Sequence, residues 1–173
     1  MVDAPDSDPQ WLPWMQRALA CAEQAEREGE VPVGALVVRD GELLGEGANR
    51  TEQLGDPTAH AEIVALRRAA ARARNHRLGG AALIVTLEPC VMCFGAILES
   101  RIATVVFGAP DPLRGAVPLW KSGALSRYPV RDLVVVEGVA VAECAARLKK
   151  WFAGRRSDAP GRPTDLEKSR RGA

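Results

Sequence analysis

The sequence predicts an α/β fold in which a mixed sheet is covered by helices. Two observations support this prediction. Asp40-Gly41 joins two apolar runs, which is the strongest short signal for an antiparallel hairpin. Beyond the hairpin, helical patterns alternate with short β-branched runs, and strands that are connected through helices usually pair in parallel. The 173 residues are therefore expected to form one domain of ordinary size.

The first helix and the hairpin come from the N-terminal part of the chain. Apolar residues spaced three and four apart predict a helix from Trp11 to about Glu28. Pro13 lies in its first turn, where proline is tolerated, and Gly29 is a typical helix stop. The hairpin strands are predicted over Val33 to Arg39 and Glu42 to Ala48.

A loop at Gly55 to Thr58 precedes the second predicted helix. Thr58 is the predicted N-cap, which places His60 and Glu62 in the first turn of a helix that ends near Arg74.

The rest of the chain alternates strands and helices. A β-branched run predicts a buried strand that Glu88-Pro89 breaks, and the next helix opens at Cys90. Residues 109–129, rich in Pro, Gly and Arg, predict an irregular connection. The remaining predicted elements are strands over Ala82 to Leu87, Ile102 to Gly108 and Leu133 to Glu137, and helices over Cys90 to about Glu99 and Val139 to about Gly154.

Composition and the two ends of the chain predict its organisation. Residues 1–9 are expected to be disordered, residues 10–156 to form the domain, and residues 157–173 to form a flexible basic tail. The N-terminus lacks the features of a secretory signal, and no apolar run approaches the roughly 20 residues of a membrane span. We therefore expect a cytoplasmic protein without a membrane partner. The net charge of 23 − 22 = +1 means that a nucleic acid would have to meet local basic patches.

His60, Cys90 and Cys93 form a candidate metal site. One imidazole and two thiolates bind zinc and leave the fourth tetrahedral position open for water, as in catalytic zinc sites. Cys90 and Cys93, three residues apart, face the same way, and a helix start favours the thiolate form that binds metal. We predict one Zn²⁺ per subunit.

Glu62 is the candidate general acid and base. It would accept a proton from the water, protonate the ring nitrogen beside the attacked carbon, and then protonate the leaving amine. On a continuous helix Glu62 would project about 200° from His60, although the first turn is less regular. H-x-E followed by P-C-x-x-C is the pattern of zinc-dependent base deaminases. The alternative is a zinc site that only supports folding, with a fourth ligand from His76, Cys21 or Cys144.

The similarity to known deaminases extends beyond these motifs to four longer segments. Glu30 to Gly34, Asp56 to Glu62, Val85 to Cys93 and Arg101 to Ala109 resemble the bacterial tRNA adenosine deaminase family. The resemblance implies a three-layer α/β/α cytidine deaminase-like fold, with a mixed central sheet flanked by helices. It also implies a zinc-dependent homodimer that converts adenosine to inosine at the wobble position of a tRNA anticodon, releases ammonia, and contacts the anticodon loop with both subunits.

The resemblance also assigns roles to individual residues. Asn49 matches an asparagine that contacts base and sugar, and Asp111 matches an aspartate that receives a ribose hydroxyl. From the residues alone, Asn49 also fits a strand-end turn and Asp111 an Asp-Pro turn. By the same resemblance, the family's zinc ligands correspond to His60, Cys90 and Cys93, and its proton shuttle corresponds to Glu62.

The segment after Asp111 departs from the family pattern. Leu113 stands where the family has lysine, Arg114 follows it, and Pro118-Leu119-Trp120 replaces Gly-Ser-Leu. This departure keeps a second substrate class open, namely free guanine, cytosine or a nucleoside. A third interpretation is a non-catalytic, zinc-stabilised RNA-binding module.

Overall fold

The computed structural model describes residues 9–125, 128 and 132–158. The elements of this part of the chain are α1 (Leu12–Arg27), β1 (Gly34–Arg39), β2 (Glu42–Ala48), α2 (Thr51–Leu54), α3 (Ala61–Ala73), β3 (Ala82–Leu87), α4 (Val91–Glu99), β4 (Thr104–Ala109), α5 (Val117–Lys121), β5 (Val134–Glu137) and α6 (Val141–Asp158).

The strands form a five-stranded mixed sheet in the order β2-β1-β3-β4-β5. β1 pairs antiparallel with both β2 and β3, whereas the β3–β4 and β4–β5 pairs are parallel. The predicted hairpin and the predicted mixed sheet are therefore confirmed. The parallel half of the sheet has the geometry in which loops after neighbouring strands meet at one edge.

Both faces of the sheet are covered, which makes the architecture three layers. Alternate residues of β1 point to opposite faces: Ala35 and Val37 belong to one apolar core, and Leu36 and Val38 to the other. The first core includes side chains of α3 and α4, and the second includes side chains of α1 and α6. Burial on both faces explains why β1, β3 and β4 are nearly continuous apolar runs.

Gly47 allows α3 to lie directly on β2. A Cβ atom built at Gly47 would lie 2.3 Å from the Ala61 carbonyl oxygen and 2.7 Å from the Ala65 nitrogen. Because these are backbone atoms, any side chain at this position would displace α3 from the sheet. The start of α3, which carries His60 and Glu62, is therefore located by this close contact.

The structure corrects the predicted start of α3. Its N-cap is His60, not Thr58. The Thr58 hydroxyl instead donates to Asp56 Oδ1 at 2.7 Å, so Thr58 stabilises the preceding loop. His60 consequently lies just outside the helix, with extended backbone angles.

Two short helices, α2 and α5, occur where the sequence predicts none. α6 continues to Asp158, two residues beyond the predicted end of the domain at residue 156. The rest of the predicted tail, residues 159–173, and residues 1–8 of the predicted disordered N-terminus lie outside the described residues. None of the described helices is both long and apolar enough to cross a membrane.

Candidate metal centre and active site

Two helix starts bring the candidate metal ligands together. His60 is the N-cap of α3 and Cys90 is the N-cap of α4, both with extended backbone angles. Neither side chain forms a capping hydrogen bond to its own helix, so both can face a common point. Cys93 lies in the first turn of α4 and is fully buried. The ligand atoms of these three residues all lie within 4.8 Å of one another.

The distances between these atoms fit a zinc ion. His60 Nδ1 lies 3.7 Å from Cys90 Sγ and 3.4 Å from Cys93 Sγ. Zinc with bond lengths of about 2.3 Å to sulfur and about 2.05 Å to nitrogen separates tetrahedral N and S ligands by about 3.6 Å. The two observed distances bracket that value. The donor set and its spacing therefore fit a tetrahedral zinc with three protein ligands.

The three cysteine and histidine residues considered as a fourth ligand lie elsewhere. Cys21 is on α1, and buried Cys144 is on α6, so both belong to the layer on the opposite face of the sheet. His76 follows α3 and is exposed. Within the part of the chain that the structure describes, none of them joins the ligand group. A closed, folding-only zinc site therefore finds no support in these residues.

The electrostatics of the two cysteines favour a cation. Hydrogen bonding from the Cys93 side chain, with a smaller contribution from the His60 ring, lowers the pKa of Cys90 to about 3. The same hydrogen bond and burial raise the pKa of Cys93. The two thiols share a hydrogen bond, so one of them holds a proton in the metal-free pair, and metal binding must release that proton.

Glu62 is a buried carboxyl group beside these ligands. It is 4% exposed and occupies the second residue of α3. Burial raises the pKa of Glu62, and the nearby His60 ring opposes this shift. A raised pKa brings a carboxyl group closer to the neutral range in which it can both accept and donate protons.

One pocket contains most of the predicted site residues. It encloses about 440 Å³, its open mouth included. Five of the six predicted site residues line it, while Cys93 is buried behind them. The lining residues are Val31, Val33, Asn49, His60, Glu62, Leu87, Cys90, Asp111 and Arg114.

Sequence reasoning missed four of these lining residues as site residues. Val31 and Val33 belong to the Glu30 to Gly34 segment, whose match to the family was the available signal. Leu87 ends β3, and the ends of parallel strands are where ligands bind in such sheets. Arg114 was noticed only as a departure from the family pattern.

Asn49 and Asp111 are held in defined positions at the pocket. Asn49 is 6% exposed, and its Nδ2 donates to Glu30 Oε2 and to Thr51 Oγ1, each at 3.4 Å. Asp111 Oδ1 accepts hydrogen bonds from the backbone N–H groups of Leu113 and Arg114, each at 3.0 Å. Asp111 therefore forms the Asp-Pro turn that the residues alone suggested, and it also lines the pocket.

The fold and the site together define a zinc-dependent deaminase of nucleobases. The model for the cytidine and deoxycytidylate deaminase zinc-binding region matches residues 10–109. A tRNA-specific adenosine deaminase of Haemophilus influenzae is 46% identical over 153 residues, which cover 83% of this chain and 84% of that protein. The chain belongs to the cytidine and deoxycytidylate deaminase family and, within it, to the tRNA-specific adenosine deaminases.

Solved structures agree with this assignment. A structure from work on A-to-I editing by tRNA:A34 deaminases is 42% identical and has a TM-score of 0.71, covering 79% of this chain and 99% of that one. The guanine deaminase of Nitrosomonas europaea also has a TM-score of 0.71, at 26% identity, covering 85% of this chain and 86% of that one. The predicted three-layer α/β/α cytidine deaminase-like fold is thereby confirmed.

Proposed function

We infer that this protein hydrolyses the adenosine at the wobble position of a tRNA anticodon to inosine and releases ammonia. The single observation that carries this inference is the pocket in which a three-ligand zinc site, a buried carboxyl group and two fixed polar side chains meet. The 46% identity to a tRNA-specific adenosine deaminase supports the choice of adenosine in tRNA.

We assign His60, Cys90 and Cys93 as the ligands of one zinc ion per subunit. When bound, zinc supplies Lewis acidity that makes water a usable nucleophile at neutral pH. Glu62 accepts a proton from the attacking water and delivers it to N1 of the adenine ring. It transfers the second proton to the amino group as the C6–N6 bond breaks. The water oxygen becomes O6 of inosine, and nitrogen leaves as ammonia.

The walls of the pocket suit a flipped-out base that is no longer stacked on its neighbours. Val31, Val33 and Leu87 provide apolar surface for the ring. We assign Asn49 to the base and sugar, and Asp111 to the ribose 2′-hydroxyl, a contact through which a protein distinguishes RNA from DNA. An anticodon loop suits such a site because its bases are already partly unstacked.

A second substrate class is favoured by one specific comparison. The guanine deaminase of Nitrosomonas europaea has the same fold, and the segment after Asp111 departs from the tRNA deaminase pattern. Free guanine, cytosine and nucleosides therefore belong in any test of substrate choice. A non-catalytic RNA-binding module is disfavoured, because it would not require a buried carboxyl group beside three zinc ligands.

The purified protein is expected to form inosine and release ammonia from an anticodon stem-loop that carries adenosine at position 34. We expect its kcat/KM to exceed that for free guanine, cytosine or adenosine by at least about 100-fold, because only the stem-loop reaches both the pocket and the surrounding surface. Coupled ammonia detection and nucleoside analysis measure both products. A stem-loop with guanosine at position 34 is the matched control.

Ammonia from free bases with none from the stem-loop would contradict the tRNA assignment and support the second class. In cells, loss of this protein is expected to remove wobble inosine from tRNA. Unchanged inosine there would also reject the assignment.

We propose that the protein is a homodimer. Val91 and Met92 lie on the first turn of α4 beside the metal ligands, yet they are 55% and 37% exposed. Apolar side chains at such a site favour association, and the resemblance to dimeric deaminases supports a second copy as the partner.

Light scattering is expected to give twice the 18.5 kDa of one chain, and Val91→Glu is expected to lower that mass toward one chain because it buries an unpaired charge. Leu12→Glu is the matched control, since Leu12 is 38% exposed but lies on α1, across the sheet. A wild-type mass of one chain would contradict the dimer.

We propose that the deaminase domain comprises residues 10–156, that it acts in the cytoplasm, and that the tRNA anticodon loop is its partner. The bacterial tRNA-specific relative supports the cytoplasm, because bacteria keep their tRNA there. Arg114 at the pocket mouth supports a nucleic-acid partner, because a guanidinium group suits phosphate.

A further inference from the structure

Glu88 is a buried carboxylate that the chemistry of the site does not use. It follows β3, precedes Pro89 and Cys90, and is 7% exposed. Its Oε2 accepts the backbone N–H of Asp111 at 3.0 Å, and its Oε1 accepts the backbone N–H of Val117 at 3.1 Å. Both oxygens therefore act as acceptors, and both bind the same segment of chain, residues 111–117.

This segment is one wall of the pocket. It carries Asp111 and Arg114, and it is joined to the metal side of the site by a bridge between Cys90 and Gly115 and by the Ala116 N–H, which donates to the Pro89 carbonyl at 3.0 Å. The path of the segment is thus fixed relative to a zinc ligand. Glu88 supplies the two hydrogen bonds that hold its beginning and its end.

Gly115 shows how closely the segment fits around the carboxylate. A Cβ atom built at Gly115 would lie 2.3 Å from Glu88 Cδ and 2.4 Å from each carboxylate oxygen. An alanine at this position would have to displace the carboxylate or the segment. Gly115 therefore provides a second, independent way to disturb the same contact without changing Glu88.

We propose that Glu88 is a positioning residue that holds Asp111 at the ribose of the target nucleotide and so sets the preference for a ribonucleotide over a deoxyribonucleotide. This inference rests on the proposed contact between Asp111 and the 2′-hydroxyl. A carboxylate accepts both backbone N–H groups, whereas an amide in its place presents one N–H₂ group that can only donate. Glu88→Gln therefore leaves one N–H of the segment without an acceptor and releases one end of it.

The test uses two anticodon stem-loops that differ only in the sugar of the target adenosine, ribose or 2′-deoxyribose. The measured quantity is the ratio of kcat/KM for the two, compared across wild type, Asp111→Ala, Glu88→Gln and Gly115→Ala. In the three variants we expect this ratio to fall about tenfold, which is the effect of losing one hydrogen bond to a charged group. The loss in Glu88→Gln is expected mainly in KM for the ribose substrate, with kcat changed much less, because the contact serves binding.

Glu26→Gln is the matched control. Glu26 is a partly buried carboxylate whose Oε2 accepts a hydrogen bond from Arg147 Nη1 at 2.8 Å, but it lies on α1 and does not line the pocket. A general loosening of the domain would follow from either substitution. Loss of sugar discrimination is expected only from the Glu88 side.

The outcomes separate this inference from the function it rests on. If Asp111→Ala loses discrimination while Glu88→Gln and Gly115→Ala keep it, the role of Glu88 is overturned and the role of Asp111 stands. If Asp111→Ala keeps the wild-type ratio, or wild type shows no discrimination, the Asp111 assignment fails and the Glu88 inference fails with it. An equal loss in Glu26→Gln would also overturn it. Should Glu88→Gln not fold, Gly115→Ala decides between these outcomes.

Discussion

Glu62→Ala is expected to abolish deamination while the protein keeps its zinc. Glu62 is the proposed acceptor of the water proton and the donor to both N1 and the leaving amine, so its removal affects every proton transfer in the reaction. A general acid or base typically accelerates a reaction by about 10²- to 10⁴-fold. Glu62 takes part in three proton transfers, so we expect a loss of rate at the upper end of this range or above it. Single-turnover inosine formation from the stem-loop measures the rate, and elemental analysis measures zinc per chain.

Glu62→Gln is the matched variant for this prediction. It preserves the shape of a side chain that is only 4% exposed, so packing and the pocket should be retained. An amide accepts no proton near neutral pH, and we therefore expect the same loss of rate as in Glu62→Ala. Normal turnover in either variant would reject the proton-transfer role. Loss of zinc from both would instead show that Glu62 supports the metal site.

Removal of zinc is expected to eliminate activity and to lower the thermal stability of the protein. When the cation is gone, two cysteine sulfurs and one imidazole remain within 4.8 Å of one another with no ion to hold them together. A ligand that binds only the folded state stabilises that state by about 4 kcal/mol when its free concentration is 1,000 times its Kd. Chelation followed by activity and calorimetric measurements should show both losses, and added zinc should reverse them.

Cys93→Ala is expected to eliminate activity that added zinc cannot restore. The substitution removes one of three ligands from a fully buried position, so zinc should neither copurify at one ion per chain nor restore turnover. Cys21→Ala is the matched control, because Cys21 is a half-buried thiol on α1, across the sheet from the ligands. Full activity in a chelated or Cys93→Ala protein with no bound zinc would contradict the metal-dependent mechanism.

The convergence of the three candidate metal ligands could be predicted from sequence because it depends on the local spacing of these residues. A histidine followed by a nearby acid, and two cysteines three residues apart after a proline, define the donors without knowledge of the fold. Asp40-Gly41 predicted the hairpin for a similar reason, since both residues adopt the positive φ angles, 53° and 74°, that a tight turn requires. Signals of this kind depend on a few neighbouring residues.

The relative direction of His60 and Glu62 could not be predicted in the same way. A helical projection places them about 200° apart. His60 is an N-cap with ψ of 153°, so it does not belong to the helix, and the projection does not apply to it. Thr58 looked like the N-cap because its residue type is suitable, but Asp56 binds its hydroxyl.

The two short helices were missed because their stabilising partners are distant in sequence. The Gln53 N–H of α2 donates to Glu30, and the Val117 N–H of α5 donates to Glu88. Each helix is thus supported at its start by a buried acid 23 or 29 residues earlier in the chain. A helix of four or five residues has too few internal hydrogen bonds to be stable alone, so local propensity does not reveal it.

The two N-caps also fix the electric field at the reaction centre. α3 and α4 begin at His60 and Cys90, two of the proposed metal ligands, so the positive ends of two helix dipoles, each equivalent to about half an elementary charge, converge on one small volume. These partial positive charges offset the anionic sulfurs and stabilise the negative charge that builds up on a base under attack. Because they are carried by peptide groups of folded helices, they are oriented before any nucleotide arrives. We therefore expect the backbone of the two helices to provide an electrostatic stabilisation that no single side-chain replacement can remove.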